Sequence, residues 1–291
     1  MRVEIPAAAA DQTEGALLES GCDLWTLIED AIAGRAWIVG IFQGAEEARL
    51  RLGELLPALP AKPLGEAAAR RLPDADWKES YKEHFKAWTF GPLHWVPVWE
   101  RGSFRLPEGH CVLWLDPGLA FGTGNHETTR LCIERLVEFW GSLEGGRGAA
   151  GGMSVVDAGC GSGILALSAS LLGFGDVSGF DNDPEAVRVS IANAQLNGLS
   201  GRVRFATADL RDGLGSGRAD VALANIQADV LVRHCRELAA AVAPRGLLAM
   251  SGILSSEVGS VRDSFAAAAP GWEFNSRVLG EWCDACFRRP G

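Results

Sequence analysis

Residues 153–183 constrain the fold of this chain more than any other part of the sequence. A β-branched apolar run ends at Asp157, and glycines then occupy alternate positions from Gly159 to Gly163. An apolar pattern with helical spacing follows, and a second apolar run after it ends at Asp181. Strand, glycine-rich turn, helix and strand in this order predict the first half of a nucleotide-binding βαβ unit.

This stretch leaves two kinds of nucleotide open. Gly161-Ser-Gly-Ile-Leu-Ala166 satisfies the permissive dinucleotide pattern, and Asp181 lies 20 residues after Gly161, at the expected offset. An acid before the turn, at Asp157, with alternating glycines after it instead resembles the signature of class I S-adenosylmethionine-dependent methyltransferases. In either case the glycines let a ligand approach the backbone, since no Cβ stands in the way. The carboxylate of Asp181 can accept both hydroxyl hydrogens of a ribose diol.

Composition indicates a globular protein of one large or two modest domains. The chain has 291 residues, of which 47% are hydrophobic and 22% are charged. Its net charge of −10 argues against phosphate-backbone binding as the main activity, so we expect no direct nucleic-acid partner. The negative charge suits a basic protein partner through electrostatic steering, and it is equally consistent with simple solubility.

The cysteines and the apolar segments exclude several other classes. Seven scattered cysteines are odd in number and do not form a disulfide framework. Cys283-Asp-Ala-Cys286 has zinc-like spacing, but no second pair of ligands lies nearby, so we expect buried free thiols and no metal. Residues 158–175 carry no charge, but the glycine-rich turn explains them better than a membrane span does. We see no signal-peptide pattern and expect a cytoplasmic protein.

Residues 1–72 are expected to form a small N-terminal α/β domain. Within it, the pattern predicts a helix over residues 25–33, a strand over residues 36–42 and an amphipathic helix over residues 45–56. A connecting helix over residues 74–88, with an aromatic stripe at helical spacing, is expected to begin a linker that spans residues 73–104.

The third segment, residues 105–291, is expected to be the catalytic domain. Strand-like runs at residues 93–99 and 110–115 lead into a glycine-rich loop that opens a helix over residues 128–140. With Asn125 as its N-cap, the start of that helix can hold the carboxylate of an amino-acid moiety. His126 in the same loop is more often a hydrogen-bonded structural group than a general base.

After Asp181, helices and strands continue to alternate. We expect helices over residues 184–197, 226–243 and 261–269, and strands over residues 202–208, 219–224, 247–251, 272–279 and 283–288. Such alternation, closing with two adjacent strands, predicts a doubly wound sheet whose last pair is antiparallel. Ligands of such sheets bind at the carboxyl ends of the strands, where Gly159, Asp181, Asp209 and Asn225 converge. Asp209 can reach an adenine amino group there, and a surface loop acid is an equally good interpretation.

Several motifs occur together in one order. Asp116-Pro-Gly-Leu-Ala-Phe-Gly-Thr-Gly-Asn-His-Glu-Thr-Thr129 resembles the hallmark of the methyltransferases of the ribosomal large-subunit protein L-eleven, the PrmA family. The resemblance covers about residues 74–289, and further motifs agree with it: Val156-Asp-Ala-Gly-Cys-Gly-Ser-Gly-Ile-Leu165, Asp181-Asn-Asp-Pro184, Asn193-Ala-Gln-Leu-Asn-Gly198, Ala224-Asn-Ile226, Ser251-Gly-Ile-Leu254 and Glu281-Trp-Cys283.

The resemblance implies a Rossmann-like class I methyltransferase fold and S-adenosyl-L-methionine as cofactor. The implied reaction is N-methylation of amino groups of the L-eleven protein, on lysine with the N-terminal amine as a further acceptor. The N-terminal domain would dock the substrate to a monomeric enzyme. Asn225 is the candidate catalytic residue for orienting the amine, and contact to the cofactor alone is its other interpretation. The positions expected to bind cofactor are Thr129, Gly159, Gly161, Asp181, Asp209 and Asn225.

The chain also departs from the family pattern. Gln227 stands where the family commonly has leucine, which places a polar group beside the presumed methyl-transfer site. Residues 141–152 contain six glycines and are predicted to be a flexible surface connection. Two alternatives therefore remain: a class I methyltransferase for another protein or a small molecule, and a dinucleotide-dependent oxidoreductase. The loop at residues 121–129 argues against the oxidoreductase.

Overall fold

A computed structural model describes residues 1–10, 12–13, 17, 24–30, 35–42, 44–69, 86–116 and 127–291. The chain divides into two compact units, Met1–Tyr81 and Lys82–Gly291. Residues 74–85 of the predicted connecting helix lie outside the described residues, and Trp88, predicted as its last residue, instead begins a strand.

The N-terminal unit contains a three-stranded antiparallel sheet among its described residues: β1 (Arg2–Ile5), β2 (Trp25–Asp30) and β3 (Arg35–Gly40), with β3 in the centre. The helix predicted over residues 25–33 is therefore wrong. Trp25 and Leu27 contact the core while Thr26 and Ile28 are exposed, which is the period of two of a half-buried strand. Pairing with β3 along the whole of β2 overrides the helix that the local pattern predicted.

The other two predicted elements of this unit are confirmed. The predicted strand at residues 36–42 is β3, and the predicted helix at residues 45–56 is α1 (Ala45–Leu55). Its last residue, Leu55, is buried together with residues of β1 and β3. The unit therefore has a small hydrophobic core of its own.

The C-terminal unit begins with a small sheet of three described strands: β4 (Trp88–Phe90), β5 (Leu93–Pro97) and β6 (Cys111–Leu115). Strand β5 lies in the centre, antiparallel to β4 and parallel to β6, and all five of its residues are buried. The indole N–H of Trp95 donates to the hydroxyl of Ser168 at 2.9 Å, which satisfies a polar group in this interior.

The main sheet has eight strands among the described residues: β7 (Ser154–Ala158), β8 (Asp176–Asp181), β9 (Val203–Thr207), β10 (Ala219–Asn225), β11 (Val242–Leu254), β12 (Glu273–Asn275), β13 (Val278–Leu279) and β14 (Trp282–Arg288). Their order is β12-β14-β11-β10-β7-β8-β9, with β13 paired to β14. Strands β7 to β11 are parallel, and β14 is antiparallel to β11 and β12. The predicted doubly wound sheet with an antiparallel end is confirmed.

Helices cover both faces of this sheet: α2 (Glu127–Gly141), α3 (Arg147–Ala150), α4 (Ile164–Leu172), α5 (Pro184–Leu196), α6 (Leu210–Leu214), α7 (Ala228–Arg233), α8 (Cys235–Ala240) and α9 (Val258–Ala268). The single helix predicted to end at residue 243 is instead two helices that meet at His234, and β11 already begins at Val242. The connection at residues 141–152 contains α3, whose Ala150 is buried. The sequence pattern missed α3 and α6 because helices this short carry little periodicity.

Alternate residues of the central strand β7 enter two different cores. Val155 packs on one face with residues of α2 and α4, and Val156 packs on the other face with residues of α7, α8 and α9. The main sheet is thus the middle layer of three, which is the arrangement that a doubly wound α/β fold requires.

The predicted buried thiols are present in the strand that borders β11. Cys283 and Cys286 are free and buried, and burial raises the pKa of each thiol to about 11. Within the described ranges, no group of three or more His, Cys, Asp or Glu side chains is placed to hold a metal ion. Within the same ranges, none of the helices combines the length and the hydrophobicity that a membrane span requires.

Candidate functional site

The main sheet has its topological switch point at β7. From β7 the chain first adds β8 and β9 on one side, and then β10 and β11 on the other. Parallel sheets bind ligands beyond the carboxyl ends of the strands at such a switch point. Gly159 follows β7, Asp181 ends β8 and Asn225 ends β10, so three of the predicted residues lie at this edge. Hydrogen bonds then join Gly161 to Asp181 and Thr129 to Asn225.

In the glycine turn after β7, alternate residues adopt a left-handed backbone conformation. Gly159, Gly161 and Gly163 have φ values of 72°, 51° and 77°. A Cβ on Gly159 would lie 2.5 Å from Ile226 Cγ2, and one on Gly163 would lie 2.8 Å from the Cβ of Ser190. A Cβ on Gly161, by contrast, would meet no heavy atom within 4 Å. Packing therefore requires glycine at the outer positions, while Gly161 borders open space into which a ligand can come close to the backbone.

Asp181 holds the turn from the neighbouring strand. Its Oδ2 accepts the backbone N–H of Gly161 at 2.9 Å, and its Oδ1 accepts the N–H of Asp183 at 3.0 Å. Asp183 in turn accepts the N–H of Glu185 at 2.8 Å and caps α5, which has Pro184 in its first turn. Each carboxylate oxygen of Asp181 retains a lone pair for a further donor.

Thr129 and Asn225 join helix α2 to the end of β10. The Asn225 Nδ2 donates to the hydroxyl oxygen of Thr129 at 3.1 Å, and Thr129 is buried in the first turn of the helix. The next residue, Ile226, donates its N–H to the carbonyl of Ser251 at 3.2 Å. This bond uses one of the two N–H groups of the Asn225 amide, so the second N–H and the Oδ1 acceptor remain for further partners. Gln227, the departure from the family pattern, is exposed and precedes α7.

Asp209 is exposed and caps helix α6. Its Oδ1 accepts the N–H groups of Asp212 and Arg211 at 2.9 Å each, and these bonds lower the pKa of Asp209. Among the described residues, no hydrogen bond joins Asp209 to another predicted site residue. Asn125 and His126, predicted in the loop before α2, lie outside the described residues.

Asp157, the acid before the glycine turn, also lies at this site, which its sequence pattern alone did not indicate. This side chain is only 1% exposed. Its Oδ2 accepts the N–H of Ala166 in the first turn of α4 at 3.1 Å, and its Oδ1 has no hydrogen-bond partner among the described residues. Burial, aided by the charge of Asp181, raises the pKa of Asp157 to about 7. A buried acceptor beside the turn is therefore available for a donor.

We expect Asp157 to make stability depend on pH in the ligand-free protein. Its folded pKa of about 7 exceeds the unfolded value, so its contribution is complete below about pH 4 and is lost as pH rises through 7. Relative to Asp157→Asn, the free energy of unfolding of the wild type should fall by roughly 1–3 kcal/mol between pH 5 and pH 8. Urea unfolding at both pH values measures this. Parallel pH curves for the two proteins would contradict it.

Comparison with known proteins agrees with this architecture. The family model described as ribosomal protein L11 methyltransferase (PrmA) matches residues 2–290. A relative with the name ribosomal protein L11 methyltransferase from Citrifermentans bemidjiense is 38% identical over an alignment of 256 positions, and the match covers 84% of this chain and 78% of the relative. Another with that name, from Pseudomonas paraeruginosa, is 37% identical over an alignment of 282 positions, and the match covers 92% of this chain and 90% of that relative.

This chain is also similar in fold to a solved structure. The crystal structure of a ribosomal protein L11 methylase from Lactobacillus delbrueckii subsp. bulgaricus is 26% identical, with a TM-score of 0.61. The match covers 71% of this chain and all of that one. Since the family model spans nearly the whole chain and the relatives agree with it, this protein is a methyltransferase that belongs to the ribosomal protein L11 methyltransferase (PrmA) family.

Proposed function

We propose that this enzyme transfers methyl groups from S-adenosyl-L-methionine to amino groups of ribosomal protein L11, on lysine and on the N-terminal amine. The observation that carries the proposal is the glycine turn hydrogen bonded to Asp181 at the switch point, in a member of this family. A ribosomal substrate also supports a cytoplasmic location. We propose a monomer with residues 1–72 as the docking domain, residues 73–104 as the linker and residues 105–291 as the catalytic domain.

The residues at the switch point fit this cofactor. Gly161 borders open space, and both oxygens of Asp181 can accept hydrogen bonds from a ribose diol. The buried Oδ1 of Asp157 lacks a donor among the described residues, and an ammonium group can supply one. Thr129, in the first turn of α2, would face the amino-acid part together with Asn225, and Gly159 shapes the turn. Asp209 would accept the adenine amino group through Oδ2, since Oδ1 caps α6.

Bound S-adenosylmethionine supplies an electrophilic methyl group on a sulfonium. The protein must then align a neutral amine with that methyl group, since the displacement is in line. A lysine amine has a solution pKa of about 10.4, and desolvation in a closed pocket favours its neutral form. The Oδ1 of Asn225 can accept a hydrogen bond from this amine and orient its lone pair, because the bond to Thr129 holds the Asn225 amide in place.

Two measurements test the proposed function. Calorimetry should detect binding of S-adenosylmethionine and no binding of reduced nicotinamide nucleotides. Mass spectrometry of L11 incubated with enzyme and cofactor should show added methyl groups on lysine or the N-terminal amine. Nicotinamide binding without S-adenosylmethionine binding would support an oxidoreductase instead. If the enzyme binds S-adenosylmethionine but L11 stays unmodified, the enzyme would be a class I methyltransferase that acts on another substrate.

Replacing Asp181 tests the ribose contact. We expect Asp181→Ala to weaken S-adenosylmethionine binding at least tenfold, since charge-assisted hydrogen bonds contribute roughly 1.5–3 kcal/mol each. The N–H of Gly161 also loses its acceptor, so stability should fall by roughly 1 kcal/mol. Calorimetry and thermal unfolding measure the two effects.

Asp183→Ala is the matched control, because Asp183 caps α5 two residues away and accepts no hydrogen bond from the glycine turn among the described residues. It should lose about 1 kcal/mol of stability with unchanged cofactor affinity. Equal affinities for Asp181→Ala and the wild type would place the ribose contact elsewhere.

A further inference from the structure

The end of strand β11 carries a motif to which the proposed reaction assigns no role. Ser251-Gly-Ile-Leu254 closes this strand, and Ser251 is the register partner of Asn225 in β10. Because β10 and β11 are parallel, both residues lie at the edge of the sheet where its parallel strands end. The motif therefore borders the candidate site from the side of β11.

A β-bulge interrupts the pairing of β11 with β14 at this motif. The register advances by three residues in β11, from Met250 to Ile253, and by two in β14, so Ser251 and Gly252 stand opposite a single residue of the partner strand. Ser251 is fully buried, and its hydroxyl donates to the carbonyl of Cys283 at 3.0 Å, which fixes the bulge to β14. A bulge bends its strand and redirects the residues in it, and bulges are common beside active sites.

In the bulge, the backbone of Gly252 approaches the backbone that follows β10. Gly252 has a φ of 83°, and a Cβ on it would lie 2.5 Å from the carbonyl oxygen and 2.9 Å from the carbonyl carbon of Ile226. These are backbone atoms, so no change of side-chain rotamer would relieve the overlap. The N–H of Ile226 donates to the carbonyl of Ser251 at 3.2 Å, which ties the two segments together at the same point. Both the φ and this contact therefore require glycine at position 252.

Ile226 is held from its other side as well. Its Cγ2 would lie 2.5 Å from a Cβ on Gly159, in the turn after β7. Strands β7 and β11 flank β10, so Ile226 is enclosed between a glycine of each neighbour. Asn225, the preceding residue, thus has its main chain fixed by Ile226 and its side chain fixed by the bond to Thr129. An atom added at Gly252 would displace the Ile226 backbone and Asn225 with it.

We propose that Gly252 is a positioning residue for methyl transfer: its bulge packs against the Ile226 backbone and so fixes the main chain from which Asn225 presents its amide to the substrate amine. This inference rests on the proposed function, because it concerns the residue that orients the amine in that reaction. Gly252 does not touch the reacting atoms. It acts through the main chain of Ile226.

The test compares Gly252→Ala with Gly271→Ala. Gly271 has a φ of 84° and is exposed, and a Cβ on it would meet no heavy atom within 4 Å. It lies between α9 and β12, the strand at one end of the main sheet. Both variants place alanine in a left-handed conformation, so both should melt at a lower temperature than the wild type. Circular dichroism checks that both are folded.

Only Gly252→Ala should slow methyl transfer. We expect kcat for methylation of L11 to fall by about 10- to 100-fold, since small misplacements of a group beside the reacting atoms have effects of this size. The Kd for S-adenosylmethionine should stay within about threefold of the wild-type value, because Asp181 holds the turn at Gly161 from β8. Hydrogen exchange of the Ile226 amide should become faster, which would show directly that its bond to Ser251 is loosened.

A double-mutant cycle shows whether the effect passes through Asn225. Asn225→Ala removes the amide, so adding Gly252→Ala to it should lower the remaining kcat by less than about twofold. A purely structural role for Gly252 would instead lower kcat by the same factor in both backgrounds.

A second variant covers the case in which Gly252→Ala does not fold. Ser251→Ala removes the bond between the bulge and Cys283 without adding an atom. It should lower kcat by about threefold or more when Asn225 is present, and by less when Asn225 is alanine. An unchanged kcat in Ser251→Ala would contradict the positioning role.

The outcomes separate the two proposals. A wild type that does not methylate L11 contradicts the proposed function and the inference that rests on it. A wild type that methylates L11, with kcat of Gly252→Ala within about twofold of it, overturns the positioning role and leaves the function standing. Equal losses of kcat in Gly252→Ala and Gly271→Ala would also overturn it, because the cause would then be general strain. So would a loss of cofactor affinity as large as the loss of kcat, which would assign Gly252 to the cofactor turn.

Discussion

Replacing Arg135 by methionine is expected to lower the free energy of unfolding by about 3–5 kcal/mol. Arg135 lies in α2 and is 6% exposed, and its partner Asp284 lies in β14 and is 1% exposed. The guanidinium donates to the two carboxylate oxygens of Asp284 at 2.6 and 2.9 Å, and to Asn275 of β12 at 2.7 Å. Without Arg135, the carboxylate of Asp284 stays buried with the N–H of Arg277 as a remaining donor.

An exposed pair of the same type provides the control. Arg233 and Asp229 lie one helical turn apart at 3.3 Å, with side chains 67% and 63% exposed. Arg233→Met should therefore cost only about 0.5 kcal/mol or less. The double variant Arg135→Met, Asp284→Leu should recover most of the lost stability, because it no longer buries an unpaired charge. Urea unfolding measures the free energy of unfolding of Arg135→Met, Arg233→Met and the double variant. A loss below 1 kcal/mol for Arg135→Met would show that water reaches Asp284.

Deleting residues 1–72 is expected to abolish methyl transfer to intact L11 while leaving cofactor binding nearly unchanged. Every proposed cofactor residue lies at or after Thr129, inside the unit Lys82–Gly291, which has its own cores. The N-terminal unit has a separate small core. If that unit docks the substrate, its loss removes the delivery of the amine to the sulfonium, and transfer should fall by at least about 100-fold.

One truncated protein assayed twice tests this division. Calorimetry should give a Kd for S-adenosylmethionine within about twofold of the full chain, and radiolabelled methyl transfer to L11 should be lost. Full-rate transfer by the truncated enzyme would exclude a docking role for residues 1–72. A truncated protein that is folded by circular dichroism but does not bind cofactor would mean that the cofactor site needs the N-terminal residues.

The elements that sequence pattern predicted well are those whose signals are local. The helix after the glycine turn occurs where predicted, as Ile164–Leu172, because an apolar run follows Gly163 and Gly173 adopts the left-handed conformation at its end. Helix α5 begins at Pro184, again as predicted, and the structure adds Asp183 as its N-cap. The wrong helix at residues 25–33 and the unforeseen break at His234 lie where local signals are weak and neighbouring elements decide.

The sequence by itself determined the alternation of strands and main helices around the large sheet and which side chains follow the parallel strands, because turn residues and hydrophobic period act within a few residues. It therefore placed Gly159, Asp181 and Asn225 at one edge of the sheet. Only the tertiary structure decided what those side chains contact. Asp181 accepts the backbone N–H of Gly161, and the buried Asp157 keeps an Oδ1 without a donor among the described residues. The side chain of Asn197 bonds to the backbone of Trp114, 83 residues away in the sequence. Such contacts depend on the distance between elements in space, which no local pattern encodes.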